Sequence, residues 1–232
     1  MKTSTIVWSV VAVLGGVGAV AAWKSMPCSS CQANAKSLGA VVTAVANPAP
    51  APAPALAEDA KAFSVDPVHS AVLFRIQHMG VSYFHGRFNS FSGSFHFDEA
   101  DAAKSSLSVT VKADSVDTHN EAREKHLKTA DFFSVAEFPE ITFNAKSVKK
   151  TGEHTYDVTG DLTLLGKTKS VTTTVTHVGT ATAPAQMGGG EMSGIETTFT
   201  IKRSDYGMNF GVEKNMLGDE VQLTVALEGH RK

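Results

Sequence analysis

From Phe63 onward the apolar residues of this chain return at every second position. Val72, Phe74 and Ile76 are followed by Phe95 and Phe97, by Leu107, Val109 and Val111, by Ile141 and Phe143, and by Tyr156, Val158, Leu162 and Leu164. The pattern resumes at Val171 and Val175, at Ile195, Phe199 and Ile201, and at Val221, Leu223, Val225 and Leu227. A strand turns successive side chains to opposite faces, so this period marks half-buried antiparallel strands. Turn residues at Asn89-Ser90, Thr151-Gly152 and Leu165-Gly166-Lys167 separate the runs, and about eight strands result. One helix is expected over Asn120 to Lys128, where Glu121 can pair with Lys125 at i,i+4.

A sheet of that size with one apolar face either stacks as a sandwich or closes into a barrel, and a small barrel can hold one small ligand. The Phe residues supply large planar walls, and Gly86, Gly93 and Gly160 are expected to leave gaps between them. The same residues equally suit a filled core, because periodicity reports the face and not the space behind it.

The 232-residue chain has two unlike parts. All 13 Phe, all three Tyr and all nine His lie after Lys61, whereas both Trp and both Cys lie before it. Only the second part has the aromatic content of a core. A net charge of −2 without a basic block excludes the electrostatic footprint that nucleic-acid binding requires. Ile6 to Trp23 form an uncharged run between Lys2 and Lys24, the pattern of an export signal or short membrane anchor. Residues 1–25 are read as that segment. Residues 26–61 are a low-complexity linker carrying Cys28-x-x-Cys31 and the alternating Pro-Ala spacer Pro48 to Ala55. The cysteine pair has neither a following His for haem nor a second pair for zinc, and reads as a surface disulfide or a pair removed with the signal. Residues 62–232 are expected to form the folded β domain.

Within that domain a series of short motifs follows in order. His69-Ser70 precedes the first strand and His78-x-Gly80 ends it; Gly86-Arg87-Phe88, Phe91-x-Gly93 and Phe97-Asp98 come next. Ser115-Val116-Asp117-Thr118, Arg123…His126-Leu127, Asp131-Phe132-Phe133 and Phe138-Pro139-x-Ile141-x-Phe143 continue the order. Gly160-Asp161-Leu162-Thr163, Gly166-x-Thr168-Lys169 and Arg203-x-Asp205-Tyr206-Gly207 complete it. This series resembles the YceI-like family of bacterial periplasmic proteins over essentially all of residues 62–232. The resemblance implies an all-β, extended lipocalin-like, eight-stranded antiparallel barrel with one short helix. It also implies an apolar tunnel for a polyisoprenoid or similar amphiphilic lipid, such as an isoprenoid quinone, in the bacterial envelope. Tyr206 stands where the family commonly has Phe, and Ala183 to Gly194 is expected to be a loop.

Common parity within each strand assigns Phe74, Ile76, Phe88, Phe95, Phe97, Phe143, Leu162 and Leu164 to the tunnel wall. His78 shares the parity of Phe74 and Ile76, and it, His126 and Arg203 are candidates for holding a polar head group or for satisfied structural roles. His119 and His126 are seven residues apart without a third ligand at metal-site spacing, so no metal and no cofactor is expected. The chain shows no G-x-S-x-G, H-E-x-x-H or P-loop, and a binding protein is expected rather than an enzyme. A partner-binding module with a filled barrel, or a hydrolase assembled from distant residues, are the alternatives. The expected partners are the lipid ligand and, where the N-terminal segment is retained, the membrane; a homodimer is compatible with the sequence.

Overall fold

Strand β1 (Phe63–His78) is long enough to serve three neighbours. Its second half pairs with β2 (Ser82–Phe88) from Val72↔Phe88 to His78↔Ser82, and its start pairs with β3 (Phe91–His96) at Phe63↔Phe95. Strands β2 and β3 are thus one long strand broken at Asn89-Ser90. The next strand is broken in the same way: β4 (Ser106–Lys112) pairs with β3 and the short β5 (Val116–Asp117) pairs with β2. After helix α1 (Glu121–Leu127) come β6 (Glu140–Lys150), β7 (Thr155–Leu164), β8 (Lys167–Thr182), β9 (Glu191–Lys202) and β10 (Leu217–Arg231). β6 pairs antiparallel with β4, each of β7 to β10 pairs antiparallel with the one before it, and β10 returns to β1. Ten strand segments therefore close as an eight-membered up-and-down barrel. This is a computed structural model that describes residues 62–98, 100–187 and 189–231. The expected export segment, cysteine pair and Pro-Ala spacer lie outside the described residues.

The local sequence accounts for the connections. The β7–β8 hairpin turns on Leu165 and Gly166, both with positive φ (52° and 68°), as a two-residue turn matched to strand twist requires. Helix α1 begins at its Asn120 cap, whose side chain accepts from Arg123 N at 2.9 Å, and Glu124 reaches back to accept from Thr118 N and Asn120 N. The expected loop over Ala183 to Gly194 is shorter: β8 continues to Thr182 and β9 begins at Glu191, with Gly194 registered opposite Gly179.

Two of the glycines expected to leave gaps instead seat rings. The Phe74 ring lies over Gly86, its registered partner, and a Cβ at Gly160 would be 2.6 Å from Cζ of Phe143. The barrel end at the β6–β7 and β8–β9 turns is solid. There Phe63 stacks on Phe95 at 5.7 Å, and Phe97 lies 4.9 Å from Tyr156, with Phe95, Tyr156 and Val158 fully buried.

Candidate functional site

The apolar face of the sheet encloses a cavity of about 690 Å³. Its wall takes side chains from every member of the eight-strand circuit: Val72, Phe74 and Ile76 on β1, Phe88 on β2, Val109 on β4, Phe143 on β6, Leu162 and Leu164 on β7, Val175 on β8, Phe199 on β9 and Leu223 on β10. That volume lies within the range of sites that bury a small organic ligand, and this wall is overwhelmingly hydrocarbon.

Its exposed members locate the mouth. Tyr83 (55% exposed), Met216 (42%) and Phe210 (38%) lie at the end where β1 meets β2 and β9 meets β10. Helix α1 and the following segment cross the same end. His126 meets the rings of Phe132 and Phe210 edge-on, each at 5.0 Å, and its Nε2 is 2.8 Å from Asp131 Oδ2. Arg123 stacks over Phe84 at 4.1 Å while its guanidinium donates to Thr118 O and Oγ1. Polar groups at the mouth are thus arranged around an aromatic collar.

The wall is parted on one side. The β8–β9 ladder runs from Val175↔Thr197 to Thr182↔Glu191, toward the solid end. Continued in register, Thr173 would face Phe199 and Val171 would face Ile201, but among the described residues no ladder pair joins them. Thr197 closes the fork, its Oγ1 donating to Thr174 O at 2.8 Å and meeting Thr173 Oγ1 at 2.6 Å.

Phe74, Ile76, Phe88, Phe143, Leu162 and Leu164 line the cavity, as do His78, His126 and Arg203 at the mouth. Phe95 and Phe97 do not; they belong to the packed end beyond the cavity floor, because parity sets the face of a strand and not the height along the barrel. Arg203 is only 1% exposed. Its Nε donates to Gly218 O, Nη1 to Met208 O, and Nη2 to Phe210 O and Leu217 O, at 2.8–3.1 Å. Burial lowers its pKa from the ordinary arginine value, against the opposing effect of Asp219. Four of its five N–H donors are engaged by main chain, so it clamps the segment that carries Phe210 and Met216. Met208, Phe210 and Met216 complete the lining from an irregular segment where periodicity has no purchase; Phe132 enters in the same way from the segment after α1. Their only signal in the sequence is large apolar residues among glycines and polar residues.

The YceI-like domain model matches residues 63–229. Protein YceI of Escherichia coli O157:H7 is 42% identical over 161 residues, which are 69% of this chain and 81% of that protein. The crystal structure of Burkholderia cenocepacia BcnA superposes with a TM-score of 0.63 at 29% identity, over 71% of this chain and 99% of that one. A structure described as a polyisoprenoid binding domain from Saccharophagus degradans has the same fold at 19% identity, with a TM-score of 0.55 over 73% of this chain and 98% of that one. The family match takes in all eight members of the barrel circuit and both breaks in its long strands, and the chain belongs to the YceI-like family.

Proposed function

We propose that this protein binds and carries a polyisoprenoid or similar amphiphilic lipid, an isoprenoid quinone among them, in the bacterial envelope. The observation that carries the reading is the hydrocarbon-walled cavity running from a collared mouth to an aromatic floor. The polyisoprenoid-binding description of the Saccharophagus degradans domain supports the ligand class. The physics favours a chain-like guest. Each buried CH₂ contributes about 0.8 kcal/mol, so an isoprene unit of five carbons contributes about 4 kcal/mol before ordering and association costs. The tail occupies the cavity and the head group sits at the mouth near His78, Tyr83 and His126.

Binding rather than catalysis is the reading because the polar side chains at the mouth hold the frame: Arg203 clamps carbonyls, Arg123 holds Thr118, and His126 pairs with Asp131. Delivery to the periplasm rests on the charge-flanked apolar run Ile6 to Trp23. The test uses protein stripped of lipid. An apolar fluorescent probe should enter the cavity and be displaced by a polyisoprenyl alcohol or quinone, and not by the isolated head group. Failure of the probe to enter, or displacement by the head group alone, contradicts the reading.

A further inference from the structure

On the outer wall, at the seam where the barrel closes, two ends of the domain bring four metal-type ligands together. Asp66 on β1 is registered directly opposite Glu228 on β10. Like charges placed so repel, and a sheet does not favour the pair without compensation. Beyond Asp66 the register breaks until Ala71↔Ala226, so Pro67 to Ser70 bulge from β1. Val68 N donates to Asp66 Oδ1 at 2.8 Å, and Ser70 Oγ replaces the missing ladder contact by accepting from Glu228 N at 2.9 Å. The bulge folds His69 back over the carboxylates. His230, two residues beyond Glu228 on the same strand, reaches the same point.

The four donor atoms alternate nitrogen and oxygen around a small ring. His69 Nδ1 is 2.7 Å from Asp66 Oδ2 and 3.7 Å from Glu228 Oε1; His230 Nε2 is 3.4 Å and 3.1 Å from the same two oxygens. All four lie within 4.8 Å of one another. Bonds of about 2.0–2.1 Å in a tetrahedral zinc site place the donors roughly 3.3 Å apart. The spacing of this ring brackets that value, so small side-chain adjustments would complete a coordination sphere. The side chains are 20–52% exposed, which leaves a path for an ion.

We propose that Asp66, His69, Glu228 and His230 bind a divalent transition-metal ion of the zinc class. Two imidazoles select such an ion over calcium or magnesium, which take oxygen ligands, and its charge neutralises the opposed carboxylates. The site is separate from the lipid cavity. On the inner side of the same strands, a Cβ at Gly229 would lie 2.8 Å from Phe63 Cβ and 2.9 Å from Phe95 Cε1, in the solid floor. The ion would tie β1 to β10, the pair that closes the circuit, and so couple metal supply to the stability of the closed barrel.

Zinc chloride titrated calorimetrically into the full chain carrying Cys28→Ser and Cys31→Ser, after chelator treatment, tests this without competition from the thiols. Saturation by a single ion, a rise in the unfolding temperature and no response to magnesium are expected. His69→Gln with His230→Gln should weaken binding at least 100-fold, whereas His154→Gln should leave it unchanged. Unchanged zinc affinity in the folded double variant overturns the proposal. Cobalt binding to the chain with both His retained, followed by NMR, decides the matter even where the double variant does not fold. Paramagnetic shifts centred on Ser70 and Gly229 support the site, and shifts centred elsewhere overturn it. Lipid content plays no part in either readout.

Discussion

The ring of Phe74 takes the space that a side chain on Gly86, its registered partner across the β1–β2 ladder, would need. A Cβ on Gly86 would sit 2.7 Å from Cε1 of that ring, inside van der Waals contact. Phe74 also meets Phe84 at 6.0 Å and Phe88 at 5.7 Å, so it has little freedom to swing away. The absent side chain is what lets the cavity wall form at this height.

Gly86→Ala should therefore destabilise the barrel by about 1–3 kcal/mol through overpacking. Chemical denaturation of the variant measures it, and Phe74→Leu in the same chain should recover part of the loss. An additive double variant would show that the ring is not the cause.

Phe143 and Phe95 should respond differently to a charge. Phe143 borders the cavity, so Phe143→Glu should fold and lose its lipid, because an unpaired buried carboxylate costs several kcal/mol or stays protonated. Phe95 is fully buried in the floor with no space beside it, and Phe95→Glu should abolish folding. Circular dichroism and lipid content, measured together, separate the two; a folded Phe95→Glu chain that retains its lipid contradicts this floor.

Arg203→Met keeps much of the side-chain bulk and removes the clamp on four carbonyls. Unsatisfied buried acceptors cost about 1–3 kcal/mol each, and local relaxation recovers some of that, so a loss of about 3 kcal/mol is expected. Hydrogen exchange should accelerate first in the segment carrying Met208 to Gly218. Uniform acceleration over the whole barrel would instead assign Arg203 to the global core.

Asp117 binds β5 to its surroundings by accepting from His119 N at 3.0 Å, Asn89 Nδ2 at 3.0 Å and Arg87 Nε at 3.3 Å. These bonds, the main-chain one foremost, lower its pKa to about 2. An unfolded carboxyl titrates near about 3.9, so the stabilisation is fully present above that value and is lost as the pH falls through about 2. Asp117→Asn should lower the unfolding temperature at about pH 5, and the gap to the unaltered chain should narrow from about pH 4 downward and close only below about pH 2. A gap that does not change with pH would show that charge is not what Asp117 contributes.

The strands and the helix were legible because their signals are local. Alternation from Val72 to Ile76 and from Leu162 to Leu164 names the inward face, and Asn120 with Glu124 names the start of α1. Height along the barrel axis has no such signature. Phe95 has the same alternating pattern as the cavity-facing residues and yet packs on Phe63 in the floor, since the partner that fills the space comes from another strand. Arg203 illustrates a second limit, because its role depends on carbonyls gathered from an irregular segment. The opposition of Asp66 to Glu228 is a third: the two are brought together by barrel closure, and the bulge that aims His69 at them changes the parity of β1 midway.

Organic extraction of the purified protein, followed by mass spectrometry, tests the carrier account most directly. The account predicts a stoichiometric isoprenoid or related amphiphilic lipid, greatly reduced in folded Phe143→Glu and retained in a change on the outer wall such as Thr163→Glu. Protein that yields no lipid after purification and takes none up from a polyisoprenoid suspension, or a folded Phe143→Glu chain with undiminished lipid, would contradict it.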